Sequence, residues 1–143
     1  MFQTPMSTTQ VKQLSPVTLA FLGDAVYALW VRERLVRFGA GKLSELNRTA
    51  ASVLSARGQS AFLERVLPLL TAEEEEIFRR GRNAKKPTKS KHATAAEYNR
   101  STGFEAVLGY LYLIGDSDRI ETLLSLTGED ELKGQAAAKP FKP

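Results

Sequence analysis

Two carboxylates interrupt apolar helical patterns: Asp24 in Phe21-Leu22-Gly23-Asp24-Ala25-Val26, and Glu105 in Thr102-Gly103-Phe104-Glu105-Ala106-Val107-Leu108-Gly109. An ionised carboxylate in apolar surroundings is expensive unless a cation or a hydrogen-bond donor compensates it. Each stretch also carries glycine where a helix prefers alanine by about 1 kcal/mol, which points to the close approach of another backbone. Two tightly packed helices presenting Asp24 and Glu105 to one shared divalent ion account for both features. Oxygen-only ligands select a hard cation, Mg²⁺ or Mn²⁺. Such an ion activates water, clamps the non-bridging oxygens of a phosphodiester and stabilises the leaving oxyanion without a histidine base. The bland alternative for Asp24 is an ion pair with a core cation such as Arg48. Two buried carboxylates would then need two separate partners.

The elements that must position these groups are helical. Strand patterns are nearly absent and the 3.6-residue period recurs, so the chain reads as all-α. Ser15 followed by Pro16 opens a long helix to about Arg37, which stops at Gly39 and Gly41. A second helix is expected from Ser44 to about Leu54, and a third from Ser55 or Ala56 to Leu67, ended by Pro68. Thr71 with Glu74 forms a capping box for a fourth helix to about Arg82. Thr94 with Glu97 forms another, starting a short helix that leads into the long apolar one around Glu105. Asp116 or Ser117 caps a last helix through Leu126, closed by Gly128. This gives one domain over residues 11–128, with flexible tails at 1–10 and 129–143. The long first helix is apolar around most of its circumference, as expected of a rod buried by neighbours or by a partner subunit.

Composition narrows the class. A chain of 143 residues with 43% hydrophobic content can bury a single core. It has no cysteine for a disulfide or thiolate site, a pattern that fits the cytoplasm. The first ten residues lack a secretory pattern, and no apolar stretch reaches the roughly 20 residues that span a bilayer. The net charge is +4, but the basicity is local. Arg79, Arg80, Arg82, Lys85, Lys86, Lys89 and Lys91 occur with no acid among them, leaving the rest of the chain net acidic. The long loop from Asn83 to Ala93 is therefore either a solvated charge run or a slender basic arm that contacts a polyanion. Arg57 and Gln59 are further candidate phosphate contacts. The acids Glu73 to Glu76 fit the positive end of a helix dipole better than a metal cluster. His92, the only histidine, belongs to the basic loop, and Tyr110 and Tyr112 belong to the apolar repeat.

On the Phe-Leu-Gly-Asp and Phe-Glu-Ala-Val-Leu-Gly stretches the chain resembles the ribonuclease III family. The segment Arg79-Arg80-Gly81-Arg82-Asn83-Ala84-Lys85, with Tyr98-Asn99-Arg100-Ser101-Thr102, resembles its reduced Mini-ribonuclease III branch, over residues 11–128. The resemblance implies a helical homodimer acting as a divalent-metal-dependent endoribonuclease on double-stranded RNA. Its products would carry 5′-phosphate and 3′-hydroxyl ends. It further implies a role in maturing precursor 23S ribosomal RNA together with a large-subunit ribosomal protein. Asp24 and Glu105 stand at catalytic and metal-binding positions, and Phe21 matches an aromatic that plugs a socket on the partner subunit. Pro16, Ala20 and Thr102 stand where the larger family usually has further acids. The reading from a different class is a duplex-RNA-binding domain that no longer cuts.

Overall fold

The computed structural model describes residues 2–38, 41–86 and 93–126. Seven α-helices appear among them: α1 (Thr8–Lys12), α2 (Pro16–Arg37), α3 (Leu43–Leu54), α4 (Ser60–Val66), α5 (Ala72–Asn83), α6 (Ala95–Leu113) and α7 (Ser117–Leu124). A 3₁₀ turn at Leu67–Leu69 carries Pro68. No strand occurs among the described residues, as the periodicity requires.

Helix starts follow side-chain chemistry. Ser15 accepts from the Val17 N–H with Pro16 at the first helical position, and reciprocal capping boxes open α5 (Thr71 with Glu74) and α6 (Thr94 with Glu97). Two spans differ from expectation. The third helix begins only at Ser60, because Ser55 Oγ accepts from the Gly58 N–H and holds residues 55–59 in a turn. The segment leading into Glu105 is one continuous helix, α6, rather than a short helix followed by a long one. The N-terminal segment expected as a tail is tied down: Ser7 caps α1, and the Met6 N–H donates to the Leu113 carbonyl. The expected C-terminal tail, 129–143, lies outside the described residues.

The core surrounds α6 and α2. Tyr27, Phe62 and Phe104 from α2, α4 and α6 form a buried aromatic triad with centroids 5.3–6.1 Å apart. In the acidic run, burial opposes the charge on Glu74. Hydrogen bonds from Arg119 and Thr71 outweigh it and hold the carboxyl below the usual range. Glu74 is thus a capping and ion-pair residue.

The crossing of α2 and α6 sets everything else. A Cβ at Gly23 would lie 1.7 Å from the Glu105 carbonyl oxygen, and one at Gly109 would lie 2.0 Å from the Leu19 carbonyl oxygen. Backbone meets backbone at both points, so no rotamer change could make room. Gly23→Ala and Gly109→Ala should each destabilise the fold by on the order of 3 kcal/mol, the upper range for overpacking. Thermal or urea denaturation measures this, and near-wild-type stability in either variant would show that the helices can separate cheaply.

Candidate active site

The same crossing brings the two carboxylates together. Gly23 fixes α2 against the backbone of Glu105, so Asp24, one residue on, stands within hydrogen-bonding and Coulombic reach of the Glu105 side chain. Both line a cleft of about 420 Å³, with Phe21 and Ala20 on α2, Gln59 before α4, Lys86 after α5, and Thr102 on α6. Glu105 is partly buried, whereas Asp24 is exposed at the rim. The buried position expected for Asp24 is therefore corrected: α2 turns this face to the open cleft. Arg48 is also exposed, and no ion pair joins it to Asp24 among the described residues.

The electrostatics of the pair are unfavourable without a cation. Burial first, then the charge and hydrogen bond of Asp24, push the Glu105 pKa up to about 9, with Gln59 acting in the opposite direction. Oxygen donors of this kind fit a hard divalent ion, and they are few. Among the described residues no group of three or more Asp, Glu, His or Cys side chains could hold a metal. Where further acids would be usual in the larger family, Ala20 is apolar and the Thr102 hydroxyl donates to the Tyr98 carbonyl at 2.9 Å.

The other expected residues divide. Lys86 borders the cleft, with Nζ donating to the Arg82 and Ala84 carbonyls at 2.9 and 2.8 Å, and burial lowers its pKa. It is thus anchored to the end of α5 rather than free on an arm. Arg57, Arg82 and Lys85 are exposed. Lys89, Lys91 and His92 lie outside the described residues. Gln59 is no surface phosphate contact, because only 1% of it is exposed and it faces the cleft. Its spacing ahead of the buried Phe62, Leu63 and Val66 was the available signal for that inward position. Phe21, at 83% exposure, stands free beside the cleft mouth.

A helical domain whose two central helices bring paired carboxylates to an open cleft defines the class of the protein, a ribonuclease III-type nuclease domain. The ribonuclease III domain matches residues 17–116. The Mini-ribonuclease 3 of Symbiobacterium thermophilum is 45% identical over 85% of this chain and 94% of its own length. That of Thermoanaerobacter is 41% identical over 82% of each. A crystal structure of a Fusobacterium nucleatum protein superposes with a TM-score of 0.74 at 30% identity, covering 79% of this chain and 92% of that one. The chain belongs to the ribonuclease III family of endoribonucleases, in its Mini-ribonuclease III branch. No helix among the described residues is long and apolar enough to cross a membrane.

The raised Glu105 pKa gives a pH signature. In the unfolded chain this carboxyl releases its proton near the ordinary glutamate value of 4.5, and in the native state only near 9. Its contribution to stability is full below the unfolded value and is lost as pH rises through the folded one. In the presence of chelator, the melting temperature should carry a declining component from about pH 5 to about pH 9, and Glu105→Gln should flatten it. Parallel profiles for the two proteins would show that Glu105 is already ionised in the metal-free fold.

Proposed function

We propose that this chain cleaves double-stranded RNA as a homodimer, with a divalent cation held by Asp24 and Glu105. Its substrate in the cytoplasm would be precursor 23S ribosomal RNA in company with a large-subunit ribosomal protein. The observation that carries the reading is the convergence of Asp24 and Glu105, from two helices, on one cleft bordered by an anchored lysine. When bound, Mg²⁺, or Mn²⁺ in its place, supplies a nucleophilic water and neutralises charge on the phosphate and leaving oxygen. Asp24 at the rim faces the side from which a phosphate arrives. Glu105 sits deeper, where burial raises the electrostatic value of each contact.

The basic side chains serve affinity. Arg57, Arg82, Lys85 and Lys86, with Lys89 and Lys91 from the adjoining segment, are assigned to phosphate contacts, which release counterions and make binding salt-dependent. A-form RNA offers its backbone and 2′-hydroxyls rather than a readable major groove, so this charge reads shape more than sequence. The dimer reading rests on α2, where Phe21, Leu29 and Val36 are exposed on one face of the helix. A second copy covering that face would set two clefts across one duplex, one for each strand.

Asp24→Asn and Glu105→Gln should each slow cleavage of a long RNA duplex in Mg²⁺ by on the order of 100-fold or more, equivalent to several kcal/mol of lost electrostatic stabilisation. Duplex affinity should change little, since shape is kept. Unchanged rates in both variants would end the assignment.

Phe21→Asp places a charge in the inferred apolar interface, where desolvation disfavours it. Sedimentation at micromolar concentration should find this variant monomeric with its helix content retained. A variant that remains dimeric would mean that the subunits meet elsewhere.

A further inference from the structure

The turn between α3 and α4 is built to hold one side chain against the carboxylate pair. Ser55 Oγ donates to the Ser52 carbonyl at 3.0 Å and accepts from the Gly58 N–H at 2.9 Å, and the Gln59 N–H donates to the Ser55 carbonyl at 2.9 Å. Gly58 lets the turn close on the end of α3, since a Cβ there would lie 1.8 Å from the Ser52 carbonyl oxygen. The residue so placed is Gln59, which is 1% exposed and lines the cleft with Asp24 and Glu105.

The working end of Gln59 is its NH₂ group. Nε2 donates to the Leu54 carbonyl at 2.9 Å, and the side chain also hydrogen-bonds to the Glu105 carboxyl. That second bond favours ionised Glu105, as a donor does and an acceptor does not, so the amide nitrogen bridges the last residue of α3 and the carboxylate on α6. The amide oxygen, by contrast, is buried without a hydrogen-bond partner. An unpaired buried acceptor works against the fold, and an apolar side chain of the same length would avoid it. The amide is therefore explained by its donors, one of which ends on Glu105.

A glutamate side chain rotates freely in solution, and fixing it costs entropy that would otherwise weaken ligand binding. Glu105 is held from two sides, by Asp24 and by Gln59. We propose that Gln59 is a positioning residue, whose NH₂ group ties the Glu105 carboxylate to the Leu54 carbonyl and so sets the direction in which Glu105 offers its oxygens to the cation shared with Asp24. The inference rests on the metal-site reading of those two carboxylates. Gln59 itself touches neither the cation nor the RNA. With Ala20 and Thr102 in place of further acids, each remaining ligand has to point correctly before the cation arrives, and a hydrogen bond from outside the ligand set does that.

The test combines Mn²⁺ binding to the full chain, measured by electron paramagnetic resonance of the free ion, with melting temperatures in chelator and with kcat and KM for a long RNA duplex in Mg²⁺. The wild type should bind Mn²⁺, and Asp24→Asn and Glu105→Gln should bind it far more weakly. Gln59→Met removes the donors and keeps the length of the side chain. It should weaken Mn²⁺ binding about 10-fold or more, the range seen for groups that orient metal ligands, and lower kcat while leaving KM for the duplex unchanged. A purely structural role would shift the melting temperature and leave Mn²⁺ affinity and kcat as in the wild type. If Asp24→Asn and Glu105→Gln bind Mn²⁺ like the wild type, the metal-site reading fails and this inference with it. If they lose Mn²⁺ while Gln59→Met keeps wild-type Mn²⁺ affinity, Gln59 only braces the turn and the inference alone is overturned. Should Gln59→Met fail to fold, Gln59→Asn decides, because its shorter amide cannot span Leu54 and Glu105 together: weaker Mn²⁺ binding supports the assignment, and wild-type binding overturns it.

Discussion

Backbone contact between α2 and α6 is the constraint on which the rest of the structure depends. Gly23 rests on the carbonyl of Glu105 and Gly109 on that of Leu19, so the two longest helices meet with no side chain between them at those points. Each glycine costs helix stability in isolation, by about 1 kcal/mol relative to alanine. The two helices that cross there also carry Tyr27 and Phe104, which pack with Phe62 in the aromatic triad. The crossing also leaves little freedom in where Asp24 and Glu105 stand, because each is in, or next to, the backbone that makes the contact.

That placement couples stability to charge. A carboxyl held at a pKa of about 9 by burial and by a neighbouring acid is protonated in the neutral metal-free fold. A divalent cation bound as proposed would displace that proton, which would link cation binding to pH at this site. The fold meets the cost with a small set of groups rather than a large acidic cluster. Thr102 hydrogen-bonds to its own helix, Ala20 fills space, and Gln59 turns an amide inward.

The acidic and basic charges are kept apart in a way that suits a polyanion. Glu74 is consumed by its cap and by Arg119 on α7, so the most acidic segment of the chain is structural. The basic segment begins as α5 ends, where Lys86 is held by the last carbonyls of that helix at the border of the cleft. Positive charge therefore adjoins the carboxylate pair without neutralising it, since neither Asp24 nor Glu105 has an ion pair among the described residues.

Local chemistry was enough to place most helix ends. Ser15-Pro16, Thr71 with Glu74, and Thr94 with Glu97 satisfy backbone groups within a few residues of themselves, so their effect is written in the sequence. The pairing of Asp24 with Glu105 was legible for a related reason: a glycine and a carboxylate in an apolar helix are each costly, and their joint occurrence twice calls for one explanation. The start of α4 was not legible, because the turn that delays it depends on the Ser55 hydroxyl reaching the Gly58 N–H, and serine serves a helix cap equally well. Nor was the exposure of Asp24. It depends on which faces of separate helices border the same cleft, and Asp24 and Glu105, 81 positions apart in the sequence, acquire that relation only when the helices pack.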